Sequence, residues 1–194
     1  EPVLRYRFWP EKSKRIISHG PRGYMSYYWD NITWSSIERQ TAWNYSVQFS
    51  DRSEIRAGMT NWFVELQRPF DPSGSGATPL PPGSAYNWTL GFLDYSSDFR
   101  KKFNYSAFVN YGGYYSGTKL TYGGGINYRL QPYGIFSLDF EQNDIVLPDT
   151  TVRLLLISPR FEFAFTRSLF FTTFFQYNTQ TSNFNINARL QWRF

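Results

Sequence analysis

The last twelve residues, NFNINARLQWRF, alternate polar and apolar side chains without a break. Phe184, Ile186, Ala188, Leu190, Trp192 and Phe194 occupy one set of positions. Asn183, Asn185, Asn187, Arg189, Gln191 and Arg193 occupy the other. Successive side chains of an extended strand point to opposite faces, so this pattern specifies a strand with one greasy and one wet face. The pattern recurs almost throughout the sequence, and no other feature constrains the fold as much.

Working back, SLFFTTFFQYNTQ places Leu169, Phe171, Phe175 and Tyr177 on one face. TVRLLLISPRFEFAFT sets Leu155, Ile157, Phe161, Phe163 and Phe165 against Arg160, Glu162 and Thr166. GIFSLDFEQND sets Phe136, Leu138 and Phe140 against Ser137, Asp139 and Glu141. KLTYGGGINYRL and FNYSAFVNY behave alike, with Tyr122, Ile126 and Tyr128, then Tyr105, Ala107 and Val109, on their apolar faces. Further upstream YNWTLGF gives Tyr86, Trp88, Leu90 and Phe92, EIRAGMTNWF gives Ile55, Ala57 and Met59, and WNYSVQF gives Trp43, Tyr45 and Val47. With RGYMSYYW these make ten strands, and Val3 to Phe8 is an eleventh candidate. Composition agrees: 21% of residues are aromatic, and such side chains favour strands.

The connections fall into two sets that alternate along the chain. SDRSE (50–54), SDFRKK (97–102), QPYG (131–134) and TRS (166–168) are tight and polar. YYSGT, IVLPDT, NTQTSN and the long PFDPSGSGATPLPPGSA are more varied. The last, residues 69–85, reads as a surface loop rather than a linker, because the same strand pattern resumes after it. The chain 1–194 is therefore one domain. Short turns on one edge and longer loops on the other characterise barrels of bacterial outer membranes.

A soluble up-and-down barrel is the competing architecture. Its outer face would carry abundant Lys and Glu, whereas the polar face here is mainly Asn, Ser, Thr and Gly with occasional charges. That composition suits a hydrated lumen, and the opposite face of Phe, Leu, Ile, Val and Tyr suits hydrocarbon. No apolar run approaches the roughly 20 residues of a membrane helix. The expectation is an all-β, antiparallel up-and-down transmembrane β-barrel of at least ten strands in a bacterial outer membrane. Such barrels have even strand numbers. Either Val3 to Phe8 does not span, or the chain is the C-terminal fragment of a larger barrel; EPVLRYRF, without a signal peptide, suggests the latter.

Several stretches together resemble a known family: VLRYRFWPEKSKRI, FSDRSEIRAGMTNWFVELQRPFDP, and everything from Val146 onward. They are similar to the C-terminal barrel of Bacteroidota proteins that begin with a carbohydrate-binding, family-nine-like domain. Ser168, Leu169, Phe170, Gln176, Tyr177 and Asn178, then Asn187, Arg189, Leu190 and Trp192, carry the closest likeness. The resemblance implies no catalytic residues, and any sugar-binding domain would lie outside this sequence.

Chemistry beyond the wall is sparse. Cysteine is absent, so neither disulfides nor thiolate metal sites are available. His19 is the single histidine. A hydrolase reading would need it beside a serine such as Ser18 or Ser26 and a carboxylate, and no motif supports that. YGGG at 122–125 lacks the Lys-Ser/Thr of a phosphate loop and reads as glycines relieving crowding in a strand. The net charge of +5 is scattered, which argues against nucleic acid.

Alternation projects Arg129, Asp139, Glu141, Arg153, Arg160, Glu162, Arg189 and Arg193 inward, as ion pairs stiffening the wall or as the lining of a weakly selective pore. It points Phe184, Ile186, Leu190, Trp192 and Phe194 at lipid. The expected function is a non-enzymatic outer-membrane barrel, anchor or conduit for an attached or associated domain linked to carbohydrate handling. A porin-like channel for small solutes is the alternative. Expected partners are outer-membrane lipid, the barrel assembly machinery, and other outer-membrane or periplasmic proteins; no cofactor or metal is expected.

Overall fold

The computed structural model describes residues 2–180 and 183–193. Eleven strands form one antiparallel sheet in which each pairs only with its neighbours in sequence. They are β1 (Val3–Arg5), β2 (Ile16–Trp29), β3 (Ser36–Phe49), β4 (Glu54–Glu65), β5 (Ala85–Ser96), β6 (Phe103–Tyr114), β7 (Gly117–Leu130), β8 (Gly134–Leu147), β9 (Thr150–Ala164), β10 (Leu169–Asn178) and β11 (Asn183–Trp192). No helix occurs among the described residues.

The sheet is open, with β1 and β11 at its edges. The Val3 to Phe8 candidate is only partly a strand. Three residues pair regularly with β2, and Tyr6 and Phe8 continue along it through bonds to Pro21 and His19. The β2 edge is therefore occupied, and β11 keeps one side of its ladder free.

Connections alternate between two ends of the sheet. At one end lie 50–53, 97–102, 131–133 and 165–168; at the other lie 30–35, 66–84, 115–116 and 148–149. The second set is less uniformly long than the sequence suggests, since β6–β7 and β8–β9 close through two residues each. Its one long member is 66–84. Aspartates organise several turns by accepting bonds from the backbone just ahead, a habit of Asx turns. Asp30 accepts from Ile32 and Thr33, Asp51 from Ser53, Asp98 from Arg100, and Asp71 from Ser73, Gly76 and Ala77. Hydrogen bonds in these turns hold the Asp30, Asp51 and Asp71 carboxyls below the usual carboxylate range.

The sheet curls. Arg22, Gln40, Arg56, Asp94 and Asn110, from five consecutive strands, line one cavity of about 380 Å³. On a flat sheet β2 and β6 would stand about 19 Å apart, four steps of about 4.8 Å. Hence this face is concave. At the loop end the 66–84 connection leans across the sheet, where Gln180 donates to the Gly74 carbonyl at 3.1 Å.

A packed apolar core is absent from the described residues: Ala42, Leu66 and Ile145 are their only buried hydrophobic side chains. The exposed large apolar side chains of the strands sit almost all on the convex face. Tyr27, Trp29, Phe63, Tyr111 and Tyr177 stand near its loop end; Tyr95, Tyr105, Phe103, Tyr128 and Phe163 stand near the tight-turn end. Smaller and aliphatic side chains, among them Ala57, Met59, Leu93, Val109, Ile126 and Ile157, fill the middle, with Trp43, Tyr122 and Phe140 as aromatic exceptions.

One sequence expectation is corrected. Tyr86, Trp88, Leu90 and Phe92 of β5 lie on the concave face, because the ladder sets Trp88 opposite Trp62 and Phe92 opposite Asn110. The convex side of β5 carries Asn87, Thr89, Gly91, Leu93 and Tyr95. The YGGG glycines lie inside β7, as the strand reading expects. A Cβ on Gly123 would run into the Phe140 carbonyl oxygen and stand 2.8 Å from the Phe108 ring, so only glycine permits this close approach.

Candidate functional site

The concave face is the candidate site. Its polar residues are placed by strand parity and held by bonds across the ladder. The Arg56 Nε donates to Asp94 at 2.8 Å, joining β4 to β5. Gln40 donates to the Tyr24 hydroxyl at 2.7 Å, joining β3 to β2. On β7 and β8, Thr121 donates to Asn143 at 2.8 Å, and Asn143 donates to Glu141 at 2.7 Å. Asn127 donates to Ser137 at 2.8 Å. The result is a mixed-charge, hydrogen-bonded surface rather than a field of one sign.

The eight inward charges expected from alternation separate into two groups. Arg129, Asp139, Glu141, Arg160, Glu162 and Arg189 share the concave face by register, with Arg160 paired to Glu162. Arg193 follows β11 and lies over the Phe170 ring, 5.2 Å from its centroid. Arg153 is the exception and corrects the expectation. It stands opposite Asp144, on the face of Leu155 and Ile157, because its odd number gives it their parity. There it is 81% exposed and pairs with Asp144 at 3.5 Å, close to the β8–β9 turn. Of the lipid-directed set, Phe184, Ile186, Leu190 and Trp192 lie on the convex face, exposed by 56% to 72%. Phe194 lies outside the described residues.

The strand pattern missed the site's best-lined part. At the loop end an open cavity of about 390 Å³ is lined by aromatic, aliphatic and polar side chains of β3 to β7 and the β6–β7 turn. Trp62 and Trp88, direct cross-strand partners, lie nearly parallel at 6.5 Å and 15°. Tyr115 packs against Trp88 at 4.7 Å, Tyr114 at 5.0 Å, Phe70 at 5.3 Å and Tyr86 at 5.5 Å. It occupies the two-residue β6–β7 turn with φ at 50°, a left-handed conformation that aromatic residues seldom adopt. Its burial pushes the phenol up to about 12. The Tyr114 hydroxyl donates to the Pro72 carbonyl at 3.1 Å, tying the 66–84 connection over this end. Glu38, Asn110, Lys119 and Thr121 supply the polar lining. A readable signal existed: Trp62 and Trp88 flank one hairpin at positions that register brings together.

Hydrolytic chemistry at His19 gains no geometric support. His19 is on the convex face, hydrogen-bonded to Tyr45 and stacked on Phe8 at 5.3 Å. Ser18 and Ser26 share the opposite parity and point to the concave face. Among the described residues no group of three or more His, Asp or Glu is placed to hold a metal ion. Comparison of the chain with protein families, with curated proteins and with solved structures found no match.

Proposed function

We propose that the chain forms the wall of a bacterial outer-membrane β-barrel, which anchors or serves as a conduit for an attached or associated domain. One observation carries this reading: the exposed large apolar side chains of the strands lie almost all on the convex face, while the concave face combines hydrogen-bonded polar groups with half-buried aromatics. Exposed apolar patches larger than a few hundred Å² mark surfaces that meet membranes or partners. Strands of 10 to 15 residues reach across a hydrocarbon layer when tilted. Aromatics toward the strand ends suit the membrane interfaces.

Strand direction bears on closure. β1 and β11 run the same way, so joining them would create a parallel pair. An antiparallel barrel containing this sheet needs an odd number of further strands between those edges, which favours a larger barrel. Phe184, Ile186, Leu190 and Trp192 would meet lipid, and the terminal strand would engage the assembly machinery. Under the family resemblance, the attached domain handles carbohydrate. A porin-like channel is the second reading, favoured by the polar cavity that runs from β2 to β6.

Conductance in planar bilayers separates the two. An anchor whose concave face is cross-linked gives no steps, and a channel gives stable, reproducible steps. Fractionation of the expressed protein into the soluble cell contents would sink both.

A further inference from the structure

The loop-end cavity has a lining that the wall function does not require. We infer that it is a binding site for a neutral sugar ring, with Trp62 and Trp88 as the stacking platform and Glu38, Asn110, Lys119 and Thr121 as hydroxyl partners. The inference goes beyond the membrane reading and does not depend on it.

The chemistry selects the ligand class by elimination. Half-buried indoles offer flat π faces that suit aromatic rings, cations or the C–H face of a pyranose. A cation would meet the ammonium of Lys119, whose Nζ already lies over the Tyr114 ring at 5.2 Å from its centroid. An anion would meet Glu38. With one charge of each sign in the lining, a singly charged ligand of either sign meets a like charge, and a ligand of no net charge is favoured. A purely apolar ligand would leave Asn110 and the two charged groups unpaired, which is costly. A polyhydroxylated ring satisfies both surfaces: C–H groups on the indoles, hydroxyls donating to Glu38 and to the Thr121 oxygen, whose own O–H is taken by Asn143, and accepting from Lys119 and Asn110. The cavity volume of about 390 Å³ is at the small end for ligand sites, which fits one or two sugar units.

Two further features indicate a built site. The two-residue β6–β7 turn sets Tyr115 at positive φ and carries its ring against four other aromatics, which fixes the wall of the cavity. The 66–84 connection is fastened over this end by bonds to Tyr114 and Gln180 rather than extending into solvent.

The test is calorimetric titration of the full chain in detergent micelles with maltotriose and cellotriose, and with choline and benzoate as charged probes. Saturable heat with at least one saccharide and none with choline or benzoate is expected. Trp88→Ala should weaken saccharide binding at least ~10-fold, and Trp43→Ala, on the convex face, should leave it unchanged. Asn110→Ala and Thr121→Val retain the aromatic cluster, so they keep the test valid if Trp88→Ala fails to fold; each should weaken binding about threefold or more. No saturable heat with either saccharide from folded protein overturns the inference. So does unaltered binding in folded Trp88→Ala or in both polar variants, or tighter binding of choline or benzoate than of saccharide. Membrane insertion and conductance are independent of all these outcomes.

Discussion

β5 and β11 are the same object in sequence and opposite objects in the sheet. β11 alternates apolar and polar side chains over its ten residues, and β5 does so from Tyr86 to Phe92. In β11 the apolar set, from Phe184 to Trp192, lies on the convex face. In β5 the aromatic set, Tyr86 to Phe92, lies on the concave face and builds the cavity with Trp62 and Tyr115. The polar residues that β5 turns outward are not left unpaired: Asn61 donates to Asn87 at 2.8 Å, to Thr89 at 3.0 Å and to the Trp88 carbonyl at 3.1 Å. Alternation shows which residues share a face. Only the partners across the ladder show which face it is.

Two pairs of substitutions probe that contrast, ordered by the larger member of each pair. Ile186→Arg, midway along the convex side of β11, should destabilise the protein in lipid vesicles by ~2–4 kcal/mol, read by urea unfolding. Leu90→Arg, on the concave side of β5, should cost at most about 1 kcal/mol, since its guanidinium stays on the face that carries Arg56 and Asp94. Equal costs would mean that β5 and β11 present the same face to lipid. Next, Gly123→Ala should cost about 1–3 kcal/mol through overpacking, since its Cβ would run into the Phe140 carbonyl oxygen. Gly91→Ala on β5 has no neighbour closer than 3.8 Å and should stay within about 0.5 kcal/mol of the parent.

A smaller effect is expected where charges meet on the concave face. Asp94→Asn removes the ion pair with half-exposed Arg56 and should cost ~0.2–1 kcal/mol, diminishing as salt is added. The smallest belongs to the tight-turn end. The Arg100 guanidinium, helped by the Arg100 backbone N–H, lowers the Asp98 carboxyl to about 2 from an ordinary 3.8. A depressed carboxyl stabilises the folded state fully above about pH 4 and loses that contribution as pH falls toward 2. Asp98→Asn should therefore flatten the parent's stability profile between about pH 4 and 2, leaving the difference between parent and variant constant above it.

Much of this was legible in the sequence, and the reasons are local. Strands β2 to β11 follow from period-two alternation, and Asp51 and Asp98 mark their turns because short carboxylates cap nearby backbone. That Phe184, Ile186, Leu190 and Trp192 of β11 share one face follows from parity alone. Three features did not follow. β5 is aromatic where its neighbours are polar, and composition assigns such a face outward when register is unknown. Arg153 looks inward only if charge outweighs parity, and parity places it with Leu155. Tyr115 owes its position to a left-handed turn, which no alternation pattern encodes, and its neighbours Phe70, Tyr86 and Trp88 come from distant stretches brought together by the ladder. The cavity is thus a property of pairing rather than of any one segment.

The central claim is that the two faces of the sheet meet different solvents, lipid outside and water inside. It is tested most directly by labelling single cysteines, absent from the native chain, with a membrane-impermeant maleimide in vesicles. Leu190→Cys, Ile186→Cys and Leu93→Cys represent the convex face; Arg189→Cys, Asn187→Cys and Leu90→Cys represent the concave one. The account predicts fast labelling of the concave set and protection of the convex set until detergent is added. Equal labelling of both sets, or protection of the concave one alone, would contradict it.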